Sequence, residues 1–173
     1  MSPGKVMQPS DMEPCAYLDI ETTSLSPHNG ELTVIGLYLD DGGSSRLIQL
    51  VGQEITASAL IEPFQQPQTL YTYNGSRFDL PYIQAKLGVD LARNCHHRDL
   101  MYDCWRRNLY GGLKEVERKL GISRDSAGID GRMAVRLWLA YRYYSDERCL
   151  MTLLDYNRED VLNLKALRQK LKV

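Results

Sequence analysis

The segment YLDIETTSL, residues 17–25, places two acidic side chains in a stretch with the alternation of a β-strand. Side chains alternate across a strand, so Asp19 and Glu21 share one face while Leu18 and Ile20 occupy the other. Two carboxylates on one face repel each other, and a buried carboxylate without a partner is costly. The pair indicates either a solvated edge of a sheet or part of a site for a cation.

A further acid lies in the stretch YTYNGSRFDLPYI. A strand is expected to end at Asn74–Gly75 and a helix to start near Pro81, which leaves Asp79 at the mouth between the two. Loops at strand ends commonly carry binding residues. An acid in the first turn of a helix is also a common capping residue, so Asp79 alone fits both interpretations.

The C-terminal stretch LLDYNREDVLNLKALRQKLKV has the spacing of one helix face. The positions that step by three and four are Leu153, Tyr156, Asp160, Leu164, Leu167 and Leu171. Asp160 therefore lies within a leucine stripe, where a carboxylate needs a cation, a hydrogen-bond network or a raised pKa. Alternatively, Asp160 is partly exposed at the border of the stripe and Tyr156 is a packing residue.

Taken together, the acids of the strand, the loop and the helix indicate a metal site. Ligand sets made only of oxygen suit Mg²⁺ or Mn²⁺, which bind through a few carboxylates, water and substrate phosphates. Two such ions, about 3.5–4 Å apart, are an arrangement used for displacement at a phosphodiester. Four acids and a tyrosine are enough to surround two ions.

The order of the elements predicts an α/β domain with a mixed sheet. The stretches CAYLDIETT, LTVIGLYLD and SRLIQLVG read as consecutive antiparallel strands separated by turns, and TLYTYN reads as a further strand. Helices are predicted around EITASALIEPF, DLPYIQAKLG, LMYDCWRRNLY, LKEVERKLG and GRMAVRLWLAYRYY, and from Met151 onward. We expect one domain over residues 15–173, preceded by a loosely ordered leader at residues 1–14.

Composition limits the function classes further. The formal net charge of the 173 residues is -1, so a site for a polyanion would have to be local. The four cysteines form no CxxC pair, which argues against a disulfide framework or a structural zinc site and favours a reducing, cytoplasmic setting. Neither a membrane-spanning apolar run nor a signal peptide is expected, so no membrane partner is predicted.

Three of these stretches resemble the motifs of a known family. LDIET, YNGSRFDLPYI and YNRED are similar, in this order, to the three exonuclease motifs of the DEDD 3′–5′ exonucleases in the ribonuclease-H-like superfamily. A tyrosine four residues before the last acid resembles the DEDDy branch. The second stretch is similar to the proofreading domain of B-family DNA polymerases. The chain from Cys15 onward, with LKEVERKLGI and GIDGRMAVRLW, resembles stand-alone YprB-type domains.

The resemblance implies a ribonuclease-H-like three-layer α/β fold, with a mixed sheet whose first three strands are antiparallel and with helices on both faces. It implies a metal-dependent 3′–5′ exonuclease that acts on single-stranded or frayed ends of DNA or RNA and releases nucleoside 5′-monophosphates. Asp19 would bridge two divalent cations, Mg²⁺ or Mn²⁺. Glu21 and Asp160 would complete the tighter metal site, and Asp79 would hold the second ion through water. Tyr156 would orient the attacking water; with a phenol pKa of ~10 it is a positioning group rather than a strong base.

The resemblance also places Thr22, Asn74 and Phe78 near the terminal nucleotide, with Leu25 wedged against its base. Leu25 as a simple packing residue is the alternative. Because the chain is nearly neutral, binding to the nucleic-acid backbone should be weak, and a partner protein would supply affinity. Two other functions stay open: a non-catalytic module that binds nucleic acid or protein, and a ribonuclease-H-like endonuclease.

Other polar clusters are better explained by the fold than by chemistry. His96 and His97 point in opposite directions on an extended chain and are expected at the surface, while Asp99 is expected to cap the next helix. Gly111–Gly112 is not followed by GK[ST] and is expected to separate two helices. The basic pairs Arg132–Arg136 and Arg106–Arg107 are assigned to solvated helix faces, although contact with a phosphate is the alternative.

Overall fold

The computed structural model describes residues 14–64, 69–126 and 128–173. These form a five-stranded mixed sheet of order β3-β2-β1-β4-β5. The strands are β1 (Cys15–Thr22), β2 (Leu32–Asp40), β3 (Ser45–Val51), β4 (Thr69–Thr72) and β5 (His96–Asp99). The first three pair antiparallel, whereas β4 pairs parallel with both β1 and β5. The predicted mixed sheet is confirmed, while the predicted leader lies, apart from Pro14, outside the described residues.

The helices begin and end at residues whose local chemistry specifies the boundary. They are α1 (Ala57–Ile61), α2 (Asp79–Leu87), α3 (Leu100–Trp105), α4 (Leu113–Leu120), α5 (Gly131–Tyr144) and α6 (Glu147–Leu171). The carboxylates of Asp130 and Asp146 accept backbone N–H bonds in the first turns of α5 and α6. Gly88 and Gly121 end α2 and α4 in the left-handed conformation, which glycine adopts without strain.

Helices cover both faces of the sheet, as expected. On one face Leu18 and Ile20 of β1 pack in a core that includes Leu60 of α1 and Ile83 of α2. On the other face Tyr17 packs with side chains of α3, α4 and α6, namely Leu100, Cys104, Val116, Leu164, Leu167 and Leu171. The alternation of β1 therefore directs its acids toward the face covered by α6.

The leucine stripe of α6 docks this helix onto the sheet. Leu153, Tyr156, Asp160, Leu164, Leu167 and Leu171 are all buried, so the predicted helix face is confirmed. Burial of each leucine side chain contributes about 1.5–3 kcal/mol. Packing of α5 against α6, through Ala134 and Trp138, extends this core. The result is a rigid support for the polar residues that α6 carries.

Some boundaries differ from the prediction. His96–Asp99 forms the edge strand β5, which sequence patterning did not predict because its four residues are polar and carry no apolar alternation. Helix α2 begins at Asp79, the first residue of the predicted stretch DLPYIQAKLG, whereas α6 begins at Glu147 rather than at Met151. Across the described parts of the chain, no helix combines the length and apolar character needed to cross a membrane.

Candidate metal centre and nucleic-acid cleft

Three of the predicted carboxylates meet above the sheet. One oxygen each from Asp19, Glu21 and Asp160 lies within 4.8 Å of the other two. The two residues of β1 reach this point because they are two positions apart on one strand, and Asp160 reaches it because α6 crosses that face. Glu21 and Asp160 are buried, at 7% and 5% exposure. The spacing of the three oxygens is short enough for one ion to contact them all.

Asp79 lies beside this cluster and is equally buried. Its Oδ1 accepts a hydrogen bond from the backbone N–H of Ile20 at 3.2 Å, so the first residue of α2 is tied to β1 between the two acids of that strand. Its charge contributes to the raised pKa of Asp19. Asp79 therefore belongs to the same electrostatic site, although it is not one of the three acids whose oxygens approach within 4.8 Å.

The acids raise one another's pKa. Burial is the main cause at Asp19, and repulsion from Asp160, Glu21 and Asp79 raises the pKa further. The pKa of Glu21 is raised by burial and then by Asp160. Burial raises the pKa of Asp79 to about 7, even though backbone N–H donors oppose the change. Buried carboxylate oxygens with too little positive charge around them fit a hard divalent cation such as Mg²⁺ or Mn²⁺.

Asn157 fixes the orientation of Asp19. The buried Asn157 amide donates from Nδ2 to the carbonyl oxygen and to Oδ2 of Asp19, both at 3.3 Å, and its Oδ1 accepts from Gln49 Nε2 at 3.0 Å. Gly36, opposite Asp19 on β2, makes room, because a Cβ there would lie 2.2 Å from Asn157 Oδ1. The sequence interpretation missed Asn157, whose only signal is its place beside Tyr156 on the buried side of α6.

Tyr156 lies next to the cluster and stays a protonated phenol. Burial raises its pKa, and the negative charges of Asp160, Glu21 and Asp19 raise it further. Hydrogen bonding from Tyr156 in turn lowers the pKa of Asp160. Lys114 Nζ lies 4.4 Å from the centroid of the Tyr156 ring, in a cation–π contact. The hydroxyl can therefore donate or orient, but it is not a base at neutral pH.

Two positively charged side chains of the site, Lys114 and Arg124, were not predicted from the sequence. Lys114, at the start of α4, donates to the carbonyl of Ile129 and lies close enough to Asp160 and Glu21 to interact with their charges. Arg124 forms ion pairs with Asp160 and with Glu117 of α4. Both residues come from LKEVERKLGISRD, whose periodicity indicates only a helix.

An open cleft of about 520 Å³ leads to the acids. One wall is formed by residues 19–25 and the other by α5, including Arg132 and Val135. Leu25 is 86% exposed, so its side chain contributes little to the packing of the fold. Phe78 also lines the cleft and packs at a tilted angle against Tyr82, with ring centroids 5.6 Å apart. Thr22, Leu25 and Phe78 are thus brought to one cleft, and so is Arg132.

Asn74 lines a second opening, on the other side of Tyr156 and Asp160. It adopts a left-handed backbone conformation with φ 63°. Asp99 holds this loop in place, since its carboxylate accepts the N–H groups of Asn74 at 2.8 Å and Ser76 at 3.0 Å. Asp99 also accepts from Met101 N at the start of α3, so the predicted cap is confirmed and the same residue supports the second opening.

The sheet order and the acids above its first strand define a ribonuclease-H-like nuclease fold. The RNase_H_2 model of the RNase_H superfamily matches residues 16–172, and the chain belongs to this family. A search of the curated proteins finds no match.

Solved structures share this fold. An apo nuclease is 22% identical with a TM-score of 0.62, and the match covers 96% of this chain and 76% of that one. NrnC of Brucella melitensis is 23% identical with a TM-score of 0.59, covering 91% and 71%. The family B DNA polymerase of Pyrobaculum calidifontis is 19% identical with a TM-score of 0.70, covering 92% of this chain but 24% of the polymerase. At these identities the likeness shows the fold alone.

Proposed function

We propose that this protein is a metal-dependent 3′–5′ exonuclease of the DEDDy type that removes nucleoside 5′-monophosphates from single-stranded or frayed DNA or RNA. The observation that carries the proposal is the meeting of Asp19, Glu21 and Asp160 within 4.8 Å, with the Tyr156 phenol beside them at the end of an open cleft. Membership of a nuclease superfamily supports the same chemistry.

Asp19, Glu21 and Asp160 would hold one divalent cation, and Asp79 would help to hold a second through water. When bound, two such ions lower the pKa of a water molecule and stabilise negative charge on the phosphate. The chain's own contribution is to gather the acids: β1 and α6 fix three of them, and the Ile20 N–H group holds the fourth. Asn157 keeps the Asp19 carboxylate oriented.

Tyr156 would position the attacking water through a hydrogen bond with its hydroxyl. Its raised pKa keeps the proton on the phenol, so the group orients the water and does not deprotonate it. The neighbouring charge of Lys114, over the Tyr156 ring, favours approach of a phosphate to this side of the site. These two residues would therefore act on the scissile phosphate from the same wall.

The cleft would take the terminal nucleotide. Its volume, about 520 Å³, lies within the range of about 300–1,000 Å³ for small-ligand sites, which favours the release of one nucleotide at a time. The exposed Leu25 and the half-buried Phe78 would contact its base, while Thr22 would contact its backbone. Asn74 would reach the backbone from the second opening, which shares Asp19, Tyr156 and Asp160 with the cleft. NrnC of Brucella melitensis was solved bound to pGG, which supports a nucleic-acid substrate.

Weak attraction to the nucleic-acid backbone is expected. The chain has a formal net charge of -1, and phosphate contacts from lysine and arginine dominate nucleic-acid affinity. Turnover would therefore be distributive, and a partner protein would supply additional affinity in the cell.

The proposal is tested with DNA and RNA oligonucleotides labelled at either end. Each is incubated with purified protein in Mg²⁺, Mn²⁺ or EDTA, beside Asp19→Asn and the control Asp155→Asn, which changes an exposed acid of α6. We expect stepwise shortening from the 3′ end that requires a divalent ion, is lost in Asp19→Asn and is kept in Asp155→Asn.

Other outcomes would replace the proposal. Internal cuts would indicate an endonuclease. Retained binding with no cleavage under any ion would indicate the non-catalytic module.

A further inference from the structure

We propose that Arg124 is a positioning residue for Asp160, which it holds through a guanidinium fork anchored on the buried Glu117. The inference rests on the proposed function because Asp160 is taken there as a metal ligand. It goes beyond that function by giving a role to two residues that lie outside the three acidic motifs.

The guanidinium bridges two elements. Arg124 Nη1 lies 2.6 Å from Glu117 Oε2 on α4, and Nη2 bonds Asp160 Oδ1 on α6. Nε lies 3.4 Å from Glu159 Oε2. The Arg124 side chain is only 11% exposed. A planar guanidinium that is held at both ends by carboxylates fixes the orientation of the Asp160 carboxylate.

Glu117 is a charged residue at a position where burial is costly. It is completely buried on α4 beside Val116, where an apolar side chain would avoid the desolvation of a charge. Burial raises the pKa of Glu117, and its bond and attraction to Arg124 oppose the rise. The Glu117 carboxylate holds the far end of the Arg124 fork, and it also forms a hydrogen bond with Asn163 of α6.

The segment that carries Arg124 is also fastened to α6. The backbone N–H groups of Asp125 and Ser126 and the hydroxyl of Ser126 donate to the carboxylate of Glu159. Glu159 is the sequence neighbour of Asp160. The backbone at Arg124 is thus held close to Asp160, which the guanidinium contacts. The Arg124 side chain therefore has little freedom to move.

The alternative is that Arg124 is merely a countercharge for the acids. A countercharge repels a divalent cation, so its removal would strengthen metal binding. Removal of a positioning residue would instead weaken metal binding, because loss of a residue that orients a metal ligand costs about 10–100-fold in metal affinity or activity. Lysine keeps the charge of arginine but cannot form the fork, which separates the two roles.

The experiment titrates Mn²⁺ alone into the full chain by calorimetry and by electron paramagnetic resonance. It compares the wild type with Arg124→Lys and Arg124→Met. The control is Arg158→Met, which removes an arginine of α6 that pairs with the exposed Asp155 of that helix. We expect both Arg124 variants to bind Mn²⁺ about 10–100-fold more weakly and Arg158→Met to bind normally. Wild-type affinity in Arg124→Lys, or tighter binding by Arg124→Met, would overturn the proposal.

A second pair of variants guards against misfolding, because Arg124→Met leaves Glu117 buried and unpaired. Glu117→Gln alone keeps an acceptor for the guanidinium, and Glu117→Gln with Arg124→Met removes both buried charges. Circular dichroism verifies the fold of each. We expect the double variant to fold and to bind Mn²⁺ as weakly as Arg124→Lys. A folded double variant with wild-type affinity would contradict the role of the fork.

Nuclease assays over a range of Mn²⁺ concentrations separate this inference from the proposed function. If Arg124→Lys regains its activity at high Mn²⁺, the defect lies in ion binding, as expected. If the wild type binds Mn²⁺ in an Arg124-dependent way but cleaves no oligonucleotide, the proposed function fails and the positioning role stands. A wild type that binds no Mn²⁺ would overturn both.

Discussion

Replacement of Asp19 by asparagine removes one charge of the carboxylate cluster and keeps the size of the side chain. The amide oxygen can still accept the hydrogen bond that Asn157 Nδ2 donates to Asp19 Oδ2 at 3.3 Å. The change is therefore mainly electrostatic. In the metal-free protein we expect Asp19→Asn to raise the free energy of unfolding, whereas most substitutions at buried sites lower it.

The magnitude follows from the distances in the cluster. The three oxygens lie within 4.8 Å of one another, and two unit charges at that separation repel by about 3.5 kcal/mol at an effective dielectric constant of about 20. Asp19 has two such neighbours, but Arg124 offsets the charge of Asp160, and partial protonation reduces the remainder. We expect a gain of about 1–3 kcal/mol at pH 8, with a rise in Tm of about 2–4 °C for each kcal/mol.

Urea unfolding in EDTA, followed by circular dichroism at pH 5 and pH 8, measures the effect. Because the folded-state pKa values of these acids are raised, the folded protein binds more protons than the unfolded chain above pH 3.8, the ordinary pKa of Asp19. The free energy of unfolding of the wild type therefore falls as the pH rises, until the pH exceeds the raised pKa values of these acids. For Asp79 that pKa is about 7. The advantage of Asp19→Asn should be greatest at pH 8 and smaller at pH 5.

Asp103→Asn is the matched control. Asp103 is as buried as Glu21 and Asp160, but it accepts two hydrogen bonds from Arg98, at 2.9 and 2.8 Å, which lower its pKa. The same chemical change should therefore lower stability there. If Asp19→Asn also lost stability in EDTA at pH 8, the idea that repulsion dominates the metal-free cluster would be refuted.

Three further outcomes are expected. Gly36→Ala places a Cβ 2.2 Å from Asn157 Oδ1 and should cost about 1–3 kcal/mol in urea unfolding; an unchanged midpoint would contradict that contact. Tyr156→Phe should lower kcat by about 100-fold, as expected when a reacting group is mispositioned, with Mn²⁺ affinity unchanged in calorimetry; a weaker affinity would instead make the phenol part of the ion site. Mn²⁺ affinity should rise from pH 6 to pH 8, by about tenfold per pH unit for each proton released. The reason is that acids such as Asp79, with a pKa of about 7, must ionise before they bind the ion; an affinity independent of pH would mean that these acids are already charged.

Periodicity was sufficient to predict the elements that carry the acids. Alternation along β1 separates Leu18 from Asp19, and the three-and-four spacing of α6 places Asp160 in the buried stripe. In both cases one strand or one helix must bury an apolar face, and the polar residues on the same side are carried to the interior with it. The meeting of Asp19 with Asp160 then follows from the docking of α6 on the sheet.

Sequence patterning does not reveal partners that meet only in the tertiary structure. Arg124 and Asp160 are 36 residues apart, and nothing in the spacing of either residue indicates the other. Asn157 and Gln49 are 108 residues apart and likewise carry no local signal. Strand β5 escaped detection for a different reason: its pairing is made by backbone groups at a sheet edge, where polar side chains are tolerated.

The two-sided character of β1 also governs which genetic changes the strand can accept. Insertion or deletion of one codon between Leu18 and Glu21 would turn the following side chains to the opposite face. Carboxylates would then enter the apolar layer shared with α1 and α2, and an isoleucine would take a place among the acids. The length of β1 between these residues is thus constrained both by folding and by the candidate metal centre.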